Sequence, residues 1–140
     1  MNLVIDTNVW IAALLKKDGA SRQVIRLALL GEISPQISTS LFFEYESVMK
    51  RETIQKQCRL TIKEQEALFQ AFLSTCVYNE IFYLWRPNLQ DKNDDYLVEL
   101  AVASNSELIV TENIKDLKSN ELFFDFKVLT VKEFLQRSKS

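Results

Sequence analysis

The sequence predicts an α/β fold with a mostly parallel central sheet. Two kinds of segment predict it. "LVI" at 3–5, short, β-branched and fully apolar, reads as a buried strand, and "ELIV" at 107–110 as a second. Helical patterns separate these runs, as crossover connections require. The first strand also stops abruptly at Asp6. In an open parallel sheet, ligands bind beyond the carboxyl ends of the strands, so an acid at that point needs an explanation.

After "LVI" comes "VWIAALL" at 9–15, apolar nearly throughout and flanked by polar residues, which reads as a helix. A turn over 18–20 has Gly19 at its tip. "SRQVIRLALLGE" then suits a second helix, with Ser21 as cap and Gly31 as stop. "QIST" reads as a short strand. "TSLFFEYESVMKR" places Leu41, Phe42, Tyr45, Val48 and Met49 at helical offsets, with Thr39 or Ser40 able to cap it. In "TIKEQEALFQAFLST", Thr61 and Glu64 form a capping box. "EIFYLW" at 80–85 reads as a strand ended by Pro87. "DKNDDYLVELAVASN" reads as a capped helix leading into "ELIV". "KVLT" at 127–130 is a further strand, followed by a short helix, "VKEFLQR".

The 140 residues suit one domain spanning 1–140, and 47% apolar content supplies a core. Two glycines and two prolines argue against linkers and repeats. No apolar run is long enough to span a bilayer, and the start lacks a signal-peptide pattern, so a soluble cytoplasmic protein is expected. Cys58 and Cys76 have no metal-site spacing and read as reduced and structural. A net charge of −2 gives no support to nucleic-acid binding through bulk charge. The chain contains no histidine. That excludes serine–histidine and cysteine–histidine nucleophilic schemes and histidine zinc sites. An enzyme built on this chain would rely on carboxylates, a metal, lysine or tyrosine.

Four polar points could carry chemistry. Asp6-Thr7-Asn8 could cap a helix, or Asp6 could hold a metal with Thr7 and Asn8 fixing it. In "FFEYE", Glu44 and Glu46 fall on opposite flanks of the apolar stripe, given about 100° per residue, and periodicity does not choose between them. Asp91, Asp94 and Asp95 crowd one helix start. The helix dipole favours acids there, yet three in five residues repel, and a cation would relieve the excess. Thr111 and Asn113 follow a buried strand as Asp6 does, so both points should share the carboxyl edge. The helix carrying Asp94 leads directly into "ELIV". By strand order its start is expected at the opposite edge, unless the preceding segment runs back over the sheet.

Taken together, "VIDTNVWIAALL", "SLFFEYESVMKR", "DKNDDYLVELAVASNSELIVTENIKDL" and "KVLTVKEFL" resemble the PIN domain family, and in particular the PIN toxins of bacterial toxin–antitoxin pairs. The resemblance implies a three-layer α/β/α sandwich and a metal-dependent endoribonuclease. Its acids match Asp6, Glu44 and Asp94. Glu44 is chosen over Glu46 because the family's glutamate directly precedes an aromatic; a one-residue gap would exchange Asp94 for Asp95. The implied metal ligands are Asp6, Glu44, Asp94 and Asn113, with Mg²⁺ or Mn²⁺ as cofactor. Many relatives carry aspartate where this chain has Asn113, but "TxNxxD" also occurs and fits Thr111, Asn113 and Asp116. The amide removes one formal charge and puts a strict two-metal mechanism in doubt.

Implied partners are RNA, an antitoxin protein and a second copy of the chain. Lys16, Lys17, Arg22, Lys50 and Arg51 are candidates for RNA backbone contacts, and "FF" at 42–43 and "LFFDF" at 122–126 for an apolar interface. Two other functions compete. A phosphatase of the haloacid dehalogenase type needs a second acid where this chain has Asn8. A non-catalytic RNA- or protein-binding module would leave the acids vestigial.

Overall fold

The computed structural model describes residues 1–81 and 95–138. They form, in order, β1 (Asn2–Ile5), α1 (Thr7–Leu15), α2 (Ala20–Leu29), β2 (Ser34–Ile37), α3 (Thr39–Met49), α4 (Glu52–Gln57), α5 (Ile62–Thr75), β3 (Val77–Tyr78), α6 (Asp95–Ala103), β4 (Leu108–Val110), α7 (Ile114–Leu117), a 3-10 helix (Lys118–Leu122), β5 (Lys127–Leu129) and α8 (Val131–Ser138). The strands make one sheet in the order β3-β2-β1-β4-β5, and every pairing is parallel. Helices flank the sheet to give a three-layer α/β/α architecture.

The register explains the apolar runs. Leu3, Val4 and Ile5 pair with Leu108, Ile109 and Val110 at the sheet's centre. All six are fully buried. Each such side chain contributes roughly 1.5–3 kcal/mol on leaving water. Parallel strands covered on both faces therefore show no alternation. Pro35 is accommodated within β2 by the stagger of its neighbours. Ser34 donates its N–H to the Met1 carbonyl on the β1 side, so the Pro35 nitrogen faces the other way. There β3 begins only opposite Gln36, and no donor is needed.

One aromatic block fixes α3 and α5 against α1. Trp10 stacks on Phe72 with ring centroids 5.2 Å apart and tilts against Phe69 at 5.3 Å. Phe42 stacks on Phe69 at 5.8 Å, and Tyr45 meets Phe72 at 5.6 Å. The fully buried Tyr45 donates its hydroxyl to the Ile5 carbonyl, one residue before Asp6. The aromatic core thus holds the carboxyl end of β1 in place.

Several local expectations shift. The second helix starts at Ala20 with Gly19 at its cap position, so Ser21 is inside the helix and buried. Ser38 caps α3, accepting from Leu41 N–H at 3.2 Å, in place of Thr39 or Ser40. The second strand covers Ser34–Ile37 and so begins before "QIST". Val77–Tyr78 form a two-residue strand that the sequence did not announce. Of "EIFYLW", Glu80 and Ile81 are not in a strand, and 82–85 lie outside the described residues. The Thr61–Glu64 capping box is present in both directions. Cys58 and Cys76 are free thiols, and burial pushes Cys76 up to about 12. Of the candidate interface residues, Phe43, Leu122 and Phe123 are exposed, while Phe126 is buried. Among the described residues, no helix is long and apolar enough to cross a membrane.

Candidate active site

The strand order reverses at β1. From β1 the chain builds outward through β2 and β3, then returns to place β4 on the other flank of β1. The carboxyl ends of β1 and β4 therefore border a topological switch point, where an open sheet leaves a crevice. Asp6 follows β1 and Thr111 follows β4. Their side chains meet: the Thr111 hydroxyl donates to Asp6 Oδ2 at 2.7 Å.

Asp6 is held from several directions. Its N–H donates to the Val110 carbonyl at 2.9 Å, which extends the β1–β4 pairing to the site. Its Oδ1 accepts from Thr7 N–H at 2.7 Å, so it also caps α1. The capping and site readings of "DTN" are thus both satisfied by one side chain. Asn8 Nδ2 lies 3.4 Å from Asp6 Oδ2 and 3.4 Å from Thr111 Oγ1, while Asn8 Oδ1 accepts from Glu112 N–H at 3.2 Å. Asp6 is 8% exposed. Burial raises its carboxyl above the usual aspartate range, bonds from Thr111 and Thr7 pull it back, and Glu44 adds a push upward.

The cleft in front of Asp6 has a volume of about 480 Å³. Glu44 and Asn113 line it with Asp6, Thr7 and Asn8, and Ile11, Ala12, Leu15, Val48 and Tyr96 supply its largely apolar lining. Glu44 is turned to the cleft by its neighbour, because Tyr45 is locked in the core one step of about 100° away. Glu46 instead faces Lys50 across one helical turn at 3.8 Å. Asn113 donates from Nδ2 to Asp116 at 2.7 Å, and its N–H donates to Thr111 Oγ1 at 2.9 Å. Of the candidate RNA-contacting cations, Arg22 donates to the Ala13 carbonyl at 2.7 Å and Lys50 pairs with Glu46.

Asp91 and Asp94 lie outside the described residues; α6 begins at Asp95. The edge expected for this helix start is corrected by Tyr96, which lines the same cleft as Asp6. A helix that feeds directly into a parallel strand runs antiparallel to it. Its end meets the strand's start, and its own start returns to the carboxyl edge. No detour over the sheet is required.

The described donors suit a hard cation. Asp6, Glu44 and Asn113 offer oxygen only, the type Mg²⁺ and Mn²⁺ prefer. No lysine or arginine lines the cleft among the described residues. Thr7 Oγ1 is buried there without a hydrogen-bond partner. Among the described residues, no three acid, cysteine or histidine groups converge on one point. Sequence reasoning missed the apolar wall and Tyr96. The signal was present in "VWIAALL": a helix apolar on nearly every side is covered on two, by the core and by the cleft wall.

A buried carboxylate at the switch point and a second acid lining the same cleft define an acidic crevice in an α/β fold. The chain belongs to the PIN domain family, whose model matches residues 2–115. Proteins of this family are generally nucleases. The fold is similar to that of a chain of VapBC2 from Rickettsia felis, solved bound to a DNA fragment from their promoter. That likeness has a TM-score of 0.56 at 18% identity and covers 93% of this chain and 98% of the other. A comparison with curated proteins returns no match.

Proposed function

We propose that the protein is a Mg²⁺- or Mn²⁺-dependent endoribonuclease that hydrolyses RNA phosphodiester bonds, and that it is the toxin of a toxin–antitoxin pair. The observation that carries the reading is the Asp6 carboxylate, desolvated, hydrogen-bonded into place and facing Glu44 across a cleft without a lysine or arginine among its described lining residues. Two buried or half-buried carboxylates so arranged are costly without a counter-charge. The toxin assignment, the RNA substrate and the partners rest on the sequence resemblance, and the fold shared with VapBC2 supports the antitoxin partner. A homodimer and a cytoplasmic location belong to the same proposal.

Asp6, Glu44, Asp94 and Asn113 would hold the ion. When bound, it supplies an activated water and offsets charge on the phosphoryl oxygens. The chain's own contribution is positioning. Thr111 and Thr7 deny Asp6 other rotamers. Tyr45 fixes the helix that presents Glu44. Ile11, Leu15 and Val48 line the cleft beside the acids with apolar surface. With no histidine in the chain, proton transfer falls to carboxylates and solvent.

The test is RNA cleavage by the purified protein under Mg²⁺ and Mn²⁺ titration, with Asp6→Asn and Glu44→Gln alongside. Metal-dependent cleavage should fall more than about 100-fold in Asp6→Asn, since even outer-shell partners cost about 10–100-fold. Well-folded wild type that neither binds metal nor cuts RNA would sink the reading and favour a non-catalytic binding module.

A further inference from the structure

The loop after β4 carries Thr111 and Asn113, and something must hold it, because only its first residue is in strand register: Thr111 N–H donates to the Leu129 carbonyl at 2.9 Å. The next residue, Glu112, is exposed and was assigned no role by the sequence. Yet it is bonded at both ends. Its N–H donates to Asn8 Oδ1 at 3.2 Å, and its Oε1 accepts from Val131 N–H at 2.9 Å. Val131 opens α8, whose own capping box, between Thr130 and Glu133, serves other donors and acceptors. The first N–H of α8 is therefore left to Glu112. A carboxylate at a helix start is favoured by the free N–H groups and the dipole. Residues 129–131 lie beyond the 2–115 span of the family match.

We propose that Glu112 is a positioning residue of the site, a strut through which α8 holds the loop bearing Thr111 and Asn113 against Asn8 and Asp6. The inference rests on the nuclease reading for its functional consequence and on the two hydrogen bonds for its geometry. Loss of the carboxylate frees the loop to turn about Thr111. The Thr111–Asp6 bond and the Asn113 amide then lose their fixed placement, while Val131 keeps its side chain in the core, because Glu112 meets only its backbone N–H.

The test compares wild type with Glu112→Ala, Glu112→Gln and Val131→Pro, and the double variant Glu112→Ala/Val131→Pro. Proline suits the first position of a helix and removes only the N–H that Glu112 accepts from, apart from some packing. Three readouts are taken: amide exchange at 111–113, Mn²⁺ affinity, and kcat and KM for RNA. Glu112→Ala should speed exchange at 112 and 113, weaken Mn²⁺ binding about 10-fold and lower kcat by a similar factor with KM little changed. Glu112→Gln keeps an acceptor and should recover most of the loss. Val131→Pro should reproduce the effect, and the double variant should add little to either. Unchanged exchange, Mn²⁺ affinity and kcat in Glu112→Ala would overturn the strut alone. Wild type that neither binds Mn²⁺ nor cleaves would overturn the nuclease reading, and amide exchange would still decide whether Glu112 holds the loop.

Discussion

At the scale of single residues, Asp6 sets a pH signature. Burial is the largest influence on its carboxyl and raises it above 3.8. Between that value and the raised one, the folded state binds more protons than the unfolded state. Stability therefore falls as pH rises through the window and stays lower above it. In metal-free protein, the melting temperature of wild type relative to Asp6→Asn should decrease from about pH 4 toward neutrality. Using the difference cancels the opposite trends of Glu64 and Glu133, whose capping bonds lower their carboxyls. A difference that is flat or rises with pH would show that Asp6 is not destabilised as a charge. Asn113 offers a second test. Its amide nitrogen donates to Asp116 at 2.7 Å, so Asn113→Asp would set two carboxylates against each other. Metal-free Asn113→Asp should melt a few degrees below wild type, on the order of 1 kcal/mol, and gain more from Mn²⁺ than wild type does. An equal gain would remove Asn113 from the ion's surroundings.

At the scale of elements, α3 shows what periodicity reads and what it does not. The helix was legible from Leu41, Tyr45 and Met49, all of which are buried. Glu44 and Glu46 sit symmetrically about that stripe, and their difference comes from outside the helix, from the cleft on one flank and Lys50 on the other. Glu46→Gln should leave RNA cleavage unchanged, whereas Glu44→Gln should lower it at least about 10-fold; unchanged cleavage in both would make both surface charges. Capping was legible where the partners are both strong and close in sequence, as in Thr61 and Glu64. Thr61→Ala should cost about 1 kcal/mol in denaturant unfolding with cleavage intact. The cap of α3 was misplaced because adjacent polar residues, Ser38, Thr39 and Ser40, can do the same job, and that of α2 because Gly19 occupies the cap position without a side-chain bond. The strand at Val77–Tyr78 was invisible for a different reason. It has two residues, both exposed, so it carries no apolar pattern; it exists through pairing with Gln36 and Ile37.

At the scale of the whole molecule, the fold class followed from buried strands alternating with helices, but the order β3-β2-β1-β4-β5 did not. Local pattern says which residues pair inward and is silent on which strand lies beside which. That order brings Asp6 and Thr111 within 2.7 Å although 105 positions separate them. The direction of α6 was deducible, since a helix entering a parallel strand must start at the carboxyl edge, and the reasoning from strand order inverted it. One consequence is global. Asp6 hangs on β1, Asn113 on β4 and Glu44 on α3. An ion shared by these groups, as proposed, joins three elements distant in sequence, so releasing it requires no local event but unfolding exposes every ligand. Binding then adds RT ln(1 + [L]/Kd) to stability, about 2.7 kcal/mol at a hundredfold excess over Kd. For a chain of this length that corresponds to a rise of roughly 10 °C in melting temperature. The rise should grow with the logarithm of Mn²⁺ concentration, shrink sharply in Asp6→Asn, and be absent when a chelator is in excess over Mn²⁺. A melting temperature indifferent to Mn²⁺ in wild type, at concentrations that support cleavage, would mean that the ion arrives with the RNA and is not held by the folded protein.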